Sequence, residues 1–271
     1  MAILNGTPSL KSLLPACKMI ESLQRIGWIK SIPVEPKGVA AEFFLVDMEA
    51  GKEENADSLE LLQALRPNGV ICYFSAIHYY DLTTQIPTHH HIAWFSSKPG
   101  NPSGVANKTA QTKEPTERNP LGVEKFRFQG VPYFLTKRDP SLVAGVQFRE
   151  VSSRTRLRIT TLEQTLLDTL LQPVRSGGEA VIFEAWENAM EQFDPDRMAQ
   201  HLATIDRTYL DRRVAAMLEV LGTRLESTAL KARFDTIQER LKSDPEVLVP
   251  LPLLPGFDFP NCNRDWNIQV P

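Results

Sequence analysis

The chain has 271 residues, 42% hydrophobic and 23% charged, enough apolar material for one large core or two modest ones. A formal charge of −3 conceals two basic stretches, five basic against two acidic residues over 7–40 and nine against three over 118–158. They are offset by eleven basic against eighteen acidic residues from 159 onward, so the net charge does not exclude a polyanionic partner. Apolar runs such as 70–74 are too short to span a bilayer, and residues 1–11 lack a basic region followed by an apolar core. Three scattered cysteines, Cys17, Cys72 and Cys262, make no disulfide framework. A cytoplasmic protein with no membrane partner is expected.

In chain order, Pro15 suits a first helical turn, and Met19, Ile20, Leu23 and Ile26 recur on one helix face until Gly27 stops it. Trp28–Ile32 and Val39–Val46 read as strands joined by the Pro- and Gly-rich turn 33–38. Helix followed by hairpin is the order in the latter half of a winged helix. Residues 1–50 are therefore expected to form a winged-helix-like module whose first helix is absent or truncated. Ser58 is placed to cap a helix through Arg66, and 67–69 breaks it before an apolar helix over 70–80. Residues 86–160 are mainly strand-like, with 97–119 as a solvated connection inside them.

Thr161 and Gln164 match a capping box, opening a helical stretch over about 161–242. Gly177-Gly178 breaks it, and Asp194-Pro195 starts a further helix. The proline-rich 250–271 reads as an extended tail over the surface, anchored by Phe257, Phe259 and Trp266. The expected fold class is α+β: the module over 1–50, then a mixed sheet domain with C-terminal helices over 51–271.

Lys11, Lys18 and Arg25 recur every seven residues, so on one helix they share a face, and Lys30 and Lys37 follow on the strand and wing. Such an array suits contacts to DNA phosphates, although five charges in thirty residues also describe an ordinary solvated face. Arg154, Arg156 and Arg158 alternate on a strand and form a candidate second basic surface, facing nucleic acid, a protein partner or only solvent. Of His89-His90-His91, only the first and third could share an ion, and no Cys, Asp or Glu lies within three residues, so no metal is expected. His78 reads as a packing residue, and Asp194 with Asp196 as structural. No Gly-x-Ser-x-Gly elbow, phosphate-binding Gly loop or Cys-x-x-Cys occurs, leaving no catalytic residue to name and no cofactor to expect.

Two blocks of motifs resemble AbiEi-type antitoxins of abortive-infection, type IV toxin–antitoxin systems. The first is Pro67-x-Gly69-Val70-Ile71, Ser75-Ala76-Ile77 and the run from Leu82 to Pro87; the second is Gly145-Val146, Ile159-Thr160-Thr161, Glu163, Thr165 to Asp168 and Gly177-Gly178. The resemblance spans roughly 66–193, and Gln164 departs from it where an Arg is expected. It implies a non-enzymatic antitoxin and transcriptional autoregulator. An N-terminal winged helix would bind double-stranded DNA of its own promoter, and the rest would counteract a nucleotidyltransferase-like toxin. The alternatives are an interaction module of the same lineage without DNA binding, or a nucleotide-acting enzyme, which the basic sheet would suit.

Overall fold

The computed structural model describes residues 10–37, 43–45, 56–95, 121–151, 155–223, 227–243 and 250–271. Helix α1 (Leu10–Arg25) stops where its glycine dictates. Gly27 takes φ +76°, and the Trp28 and Gly27 amides donate to the carbonyls of Leu23 (2.9 Å) and Gln24 (3.0 Å), a Schellman arrangement. Strands β1 (Lys30–Ile32) and β3 (Phe43–Leu45) then pair antiparallel, Ile32 opposite Phe43. Between them, β2 (Glu35–Pro36) leaves the hairpin and pairs with β6 (Val123–Phe128) at the edge of the main sheet. Ile32 and Phe43 are buried with the apolar side chains of that sheet, the Phe43 and Phe126 ring centroids 4.7 Å apart. Hairpin and sheet thus share one core.

The other strands are β4 (Val70–Ile71), β5 (His90–Phe95), β7 (Val131–Arg138), β8 (Val146–Glu150) and β9 (Arg156–Thr160). The sheet order is β2-β6-β7-β5-β4-β9-β8, with β5/β7 and β4/β9 parallel and the rest antiparallel. Residues 70–71 are therefore strand, not the helix expected from their apolar run. Ile71 lies between Ile92 and Ile159, and a short strand flanked on both sides has no alternation to distinguish it from a helix segment. Helix begins only at α3 (Phe74–Tyr79). Before it, α2 (Ser58–Leu65) buries Leu59, Leu61, Leu62 and Ala64 in the sheet core. Its cap is Asp57 rather than Ser58: the Asp57 carboxylate accepts from the Leu59 and Glu60 amides, both at 2.9 Å. Gly69 permits the tight return to β4, since a Cβ there would stand 2.6 Å from Ile92.

The helical layer comprises α4 (Leu162–Leu171), α5 (Glu179–Ala189), α6 (Pro195–Ile205), α7 (Thr208–Val220) and α8 (Thr228–Ser243). Asp194 caps α6 through the amides of Asp196 and Arg197, both at 3.0 Å. Thr161 caps α4 by accepting from the Gln164 amide (3.3 Å), but the capping box is only half formed. The Gln164 side chain turns away to accept from the Ala144 (2.7 Å) and Gly145 (3.2 Å) amides, while the Thr161 amide donates to the Gly145 carbonyl.

The C-terminal segment is not a tail lying over the surface. β10 (Leu251–Pro252), β11 (Asn261–Asn263) and β12 (Ile268–Val270) form a small sheet with β12 central. Leu253, Leu254, Phe259, Trp266 and Ile268 are buried with the helical core, and Phe257 packs against it. Arg212 donates to the carbonyls of Trp266 (2.7 Å) and Asn267 (2.5 Å), and Arg213 to that of Pro252 (2.9 Å), which satisfies irregular backbone that would otherwise be buried without partners. No helix among the described residues is long and apolar enough to cross a membrane.

Candidate nucleic-acid interface and the buried polar cluster

Lys18 and Arg25 are exposed, and their seven-residue spacing on the single helix α1 places them on one face. Lys11 lies in the first turn of α1, its side chain outside the described residues. The neighbouring apolar stripe is not covered: Met19 is 60% and Ile26 61% exposed, and Trp28 beyond the helix is 55% exposed. Ile29 and Ile32 anchor the connection from below. Lys30 is half-buried on β1 and Lys37 exposed, with the Lys37 amide donating to the Lys125 carbonyl on β6 (2.9 Å). The two basic stretches of the sequence thus meet where β2 joins the sheet.

Arg156 and Arg158 stand elsewhere. Four strand spacings, on the order of 20 Å, separate β9 from β6. The Arg156 guanidinium lies 4.1 Å from the ring centroid of Phe148, itself 54% exposed. Arg158 is committed to the fold: it donates to the Asn68 carbonyl (2.9 Å) and lies 5.9 Å from the Phe95 ring centre. Its amide donates to the buried Gln63 side chain of α2 (2.7 Å), which covers a stretch of β9 that two-residue β4 is too short to reach. Arg154 lies outside the described residues.

Alternation along β5 and β7 puts His91, Ala93, Thr136 and Arg138 on the sheet face opposite Ile92 and Trp94. There the contact with the helices is polar. Buried Arg138 pairs with buried Asp168 of α4, whose carboxylate also accepts from Gln164 (2.8 Å). The Arg138 and Arg175 guanidinium groups lie 5.3 and 5.5 Å from the ring centre of Tyr73. Tyr73 has φ 58° and ψ −136° at the turn from β4 into α3, a strained backbone for a bulky residue. Its ring meets His91 edge-on at 5.5 Å; His91 Nδ1 is hydrogen-bonded to the Thr136 hydroxyl (3.3 Å), and His89 Nε2 donates to the Arg175 carbonyl (3.1 Å). Arg138 Nη1, Asp168 Oδ2, His91 Nε2 and Ser176 Oγ have no hydrogen-bond partner among the described residues.

Burial sets the proton chemistry of this cluster. It pushes the Cys72 thiol and the Tyr73 phenol each up to about 12, and lowers His89, His91 and, on the opposite face of β5, His90 (to about 3) from the ordinary imidazole range. Burial also raises the Asp168 carboxyl, against the pull of Arg138 and Gln164. At neutral pH the three histidines are neutral and Cys72 is a thiol. Among the described residues, no three His, Cys, Asp or Glu gather as metal ligands.

His78 is exposed on α3 rather than packed, because α3 turns its Phe74 and Ile77 side inward. Asp196, beside the cap Asp194, accepts from the Ser227 hydroxyl (2.5 Å). Arg138 carried no signal in the sequence, since a pair formed across layers leaves no periodicity. Asp168 was visible only as a motif position. No protein-family model matches the chain, and no curated protein matches it.

Proposed function

We propose that this chain is a non-enzymatic cytoplasmic regulator of the AbiEi antitoxin type, which binds promoter DNA and counteracts a nucleotidyltransferase-like toxin. The observation that carries the DNA-binding half is the exposed pair Lys18 and Arg25 on one face of α1, followed directly by the β1–β3 hairpin. A helix leading into a wing, with cations facing outward, suits phosphate contact along a groove. In this reading α1 and the hairpin are the remnant of a winged helix, Lys11, Lys18, Arg25, Lys30 and Lys37 hold phosphates, and Arg154 and Arg156 are left for the toxin. Each lysine or arginine on a phosphate adds about 0.9 to the slope of log affinity against log salt.

The test is a salt-titrated mobility shift on the DNA upstream of the gene, comparing the native chain with Lys18→Ala/Arg25→Ala. A specific shift that weakens steeply with salt, with a slope smaller by about two in the variant, supports the reading. Unchanged affinity and slope in the variant refute it.

The exposure of Met19, Ile26 and Trp28 favours a second reading, in which α1 receives a protein partner rather than DNA. Toxin pairing that survives Lys18→Ala/Arg25→Ala but is lost with Met19→Asp/Ile26→Asp, with no mobility shift at low salt, would select it.

A further inference from the structure

The opposite face of the sheet from the polar cluster carries a separate feature. Beyond the C-terminal end of α2, Arg66, Trp94, Val123, Lys125 and Leu135 line a surface depression of about 370 Å³. The strand register assembles it: Trp94 of β5 is opposite Lys137 of β7, and Leu135 of β7 is opposite Val123 of β6. These side chains therefore project from the same face. Trp94 is half-buried, Val123 is 59% exposed, and the Lys137 ammonium lies 5.9 Å from the Trp94 ring centre. No carboxylate lines the depression among the described residues; Glu124, next to it on β6, is engaged by Arg127 at 2.8 Å. Lys37, backbone-bonded to Lys125, adds a further cation beside this edge.

We infer that this depression binds an unpaired nucleotide of a single-stranded nucleic acid. The base stacks on Trp94, and the phosphates on either side meet Arg66, Lys125 and Lys137. A half-exposed indole offers a flat π surface that any base can use, and cations around it follow a phosphate backbone. A duplex keeps its base faces stacked and offers only edges and phosphates, so Trp94 selects for single strands. The volume is at the low end of the roughly 300–1,000 Å³ of small-ligand sites, which suits one base and its sugar rather than a longer segment. The inference stands apart from the α1 reading, because it uses none of the α1 cations.

The experiment measures anisotropy of labelled oligo(dT), oligo(U), a DNA duplex and oligo(Glu) as a polyanion control, each of about 12 units, with the full chain at several salt concentrations. Single-strand binding is expected, weakened about tenfold by Trp94→Leu and largely restored by Trp94→Phe. Lys125→Ala/Lys137→Ala, at positions outside the buried core, is expected to weaken it and to lower the salt slope by about one to two. Preference for oligo(U) or oligo(dT) identifies RNA or DNA as the source, and either supports the inference. No single-strand binding at low salt, affinity unchanged in both Trp94→Leu and the lysine pair, or equal affinity for oligo(Glu) would overturn it. Lys18→Ala/Arg25→Ala affects the duplex arm alone, so the two readings succeed or fail separately.

Discussion

The Arg138–Asp168 pair joins sheet to helices through an interface with little apolar contact, and its removal should cost far more than its replacement. Arg138 is 6% exposed and Asp168 fully buried. In Arg138→Met, Asp168 keeps only the Gln164 donor, and its Oδ2 already lacks a partner among the described residues. In Asp168→Leu, the guanidinium is left over Tyr73 with its counter-ion gone. An isolated buried charge left by deleting one partner costs about 3–5 kcal/mol, whereas an apolar pair of similar volume is often neutral or stabilising by about 1–4 kcal/mol. Each single variant should therefore lower Tm by about 6–20 °C at the 2–4 °C per kcal/mol of chains this size. Arg138→Met/Asp168→Leu should recover most of that loss, giving a coupling above about 2 kcal/mol in the double-mutant cycle. Thermal unfolding followed by circular dichroism reads all four proteins. Single variants within about 1 kcal/mol of the native chain, or a double variant as poor as the sum of the singles, would refute the reasoning.

Acid should loosen the packing on both faces of β5, His91 lying on the Arg138 face and His90 on the Tyr133 face. His89, His90 and His91 are neutral in the fold and protonate once unfolded, so below about pH 6.5 the unfolded chain binds more protons and stability falls, for His90 until about pH 3. Each such histidine contributes about 1.4 kcal/mol per pH unit at full effect. Asp168 and Asp211, both raised chiefly by burial and the latter to about 6, oppose the trend, while His201, lowered by burial, adds to it. Urea midpoints between pH 7 and pH 5 should drop, and His90→Phe, which keeps the ring against Tyr133, should flatten the slope; an unaltered slope would assign the acid sensitivity elsewhere. Gly145→Ala should destabilise by about 1–3 kcal/mol, because a Cβ there would stand 2.3 Å from both His201 Nε2 and Thr161 Oγ1, which bond each other at 3.0 Å. An alanine variant with native Tm would show that the Thr161 cap and His201 can separate without loss.

Much of the local architecture was determined by the sequence alone. Gly27 ends α1 with positive φ, Asp194 and Thr161 cap their helices, and the apolar stripe from Val181 to Ala189 is buried along α5. These features depend on a residue's own backbone preference, or on neighbours one or two turns away. The cations of α1 were legible for the same reason, since a seven-residue spacing is itself the face of a helix.

What tertiary structure decided depends on which segments lie opposite one another. Residues 70–71 become strand because Ile92 and Ile159 flank them, and 35–36 join the sheet because β6 leaves an edge open. The proline-rich C-terminus enters the core because Arg212 and Arg213 donate hydrogen bonds to its carbonyls. Arg138 finds Asp168, and Lys125 and Lys137 gather around Trp94, only once strands distant in sequence are set in register. Pairing and burial act between residues dozens of positions apart, and no local pattern encodes the distance the folded chain closes.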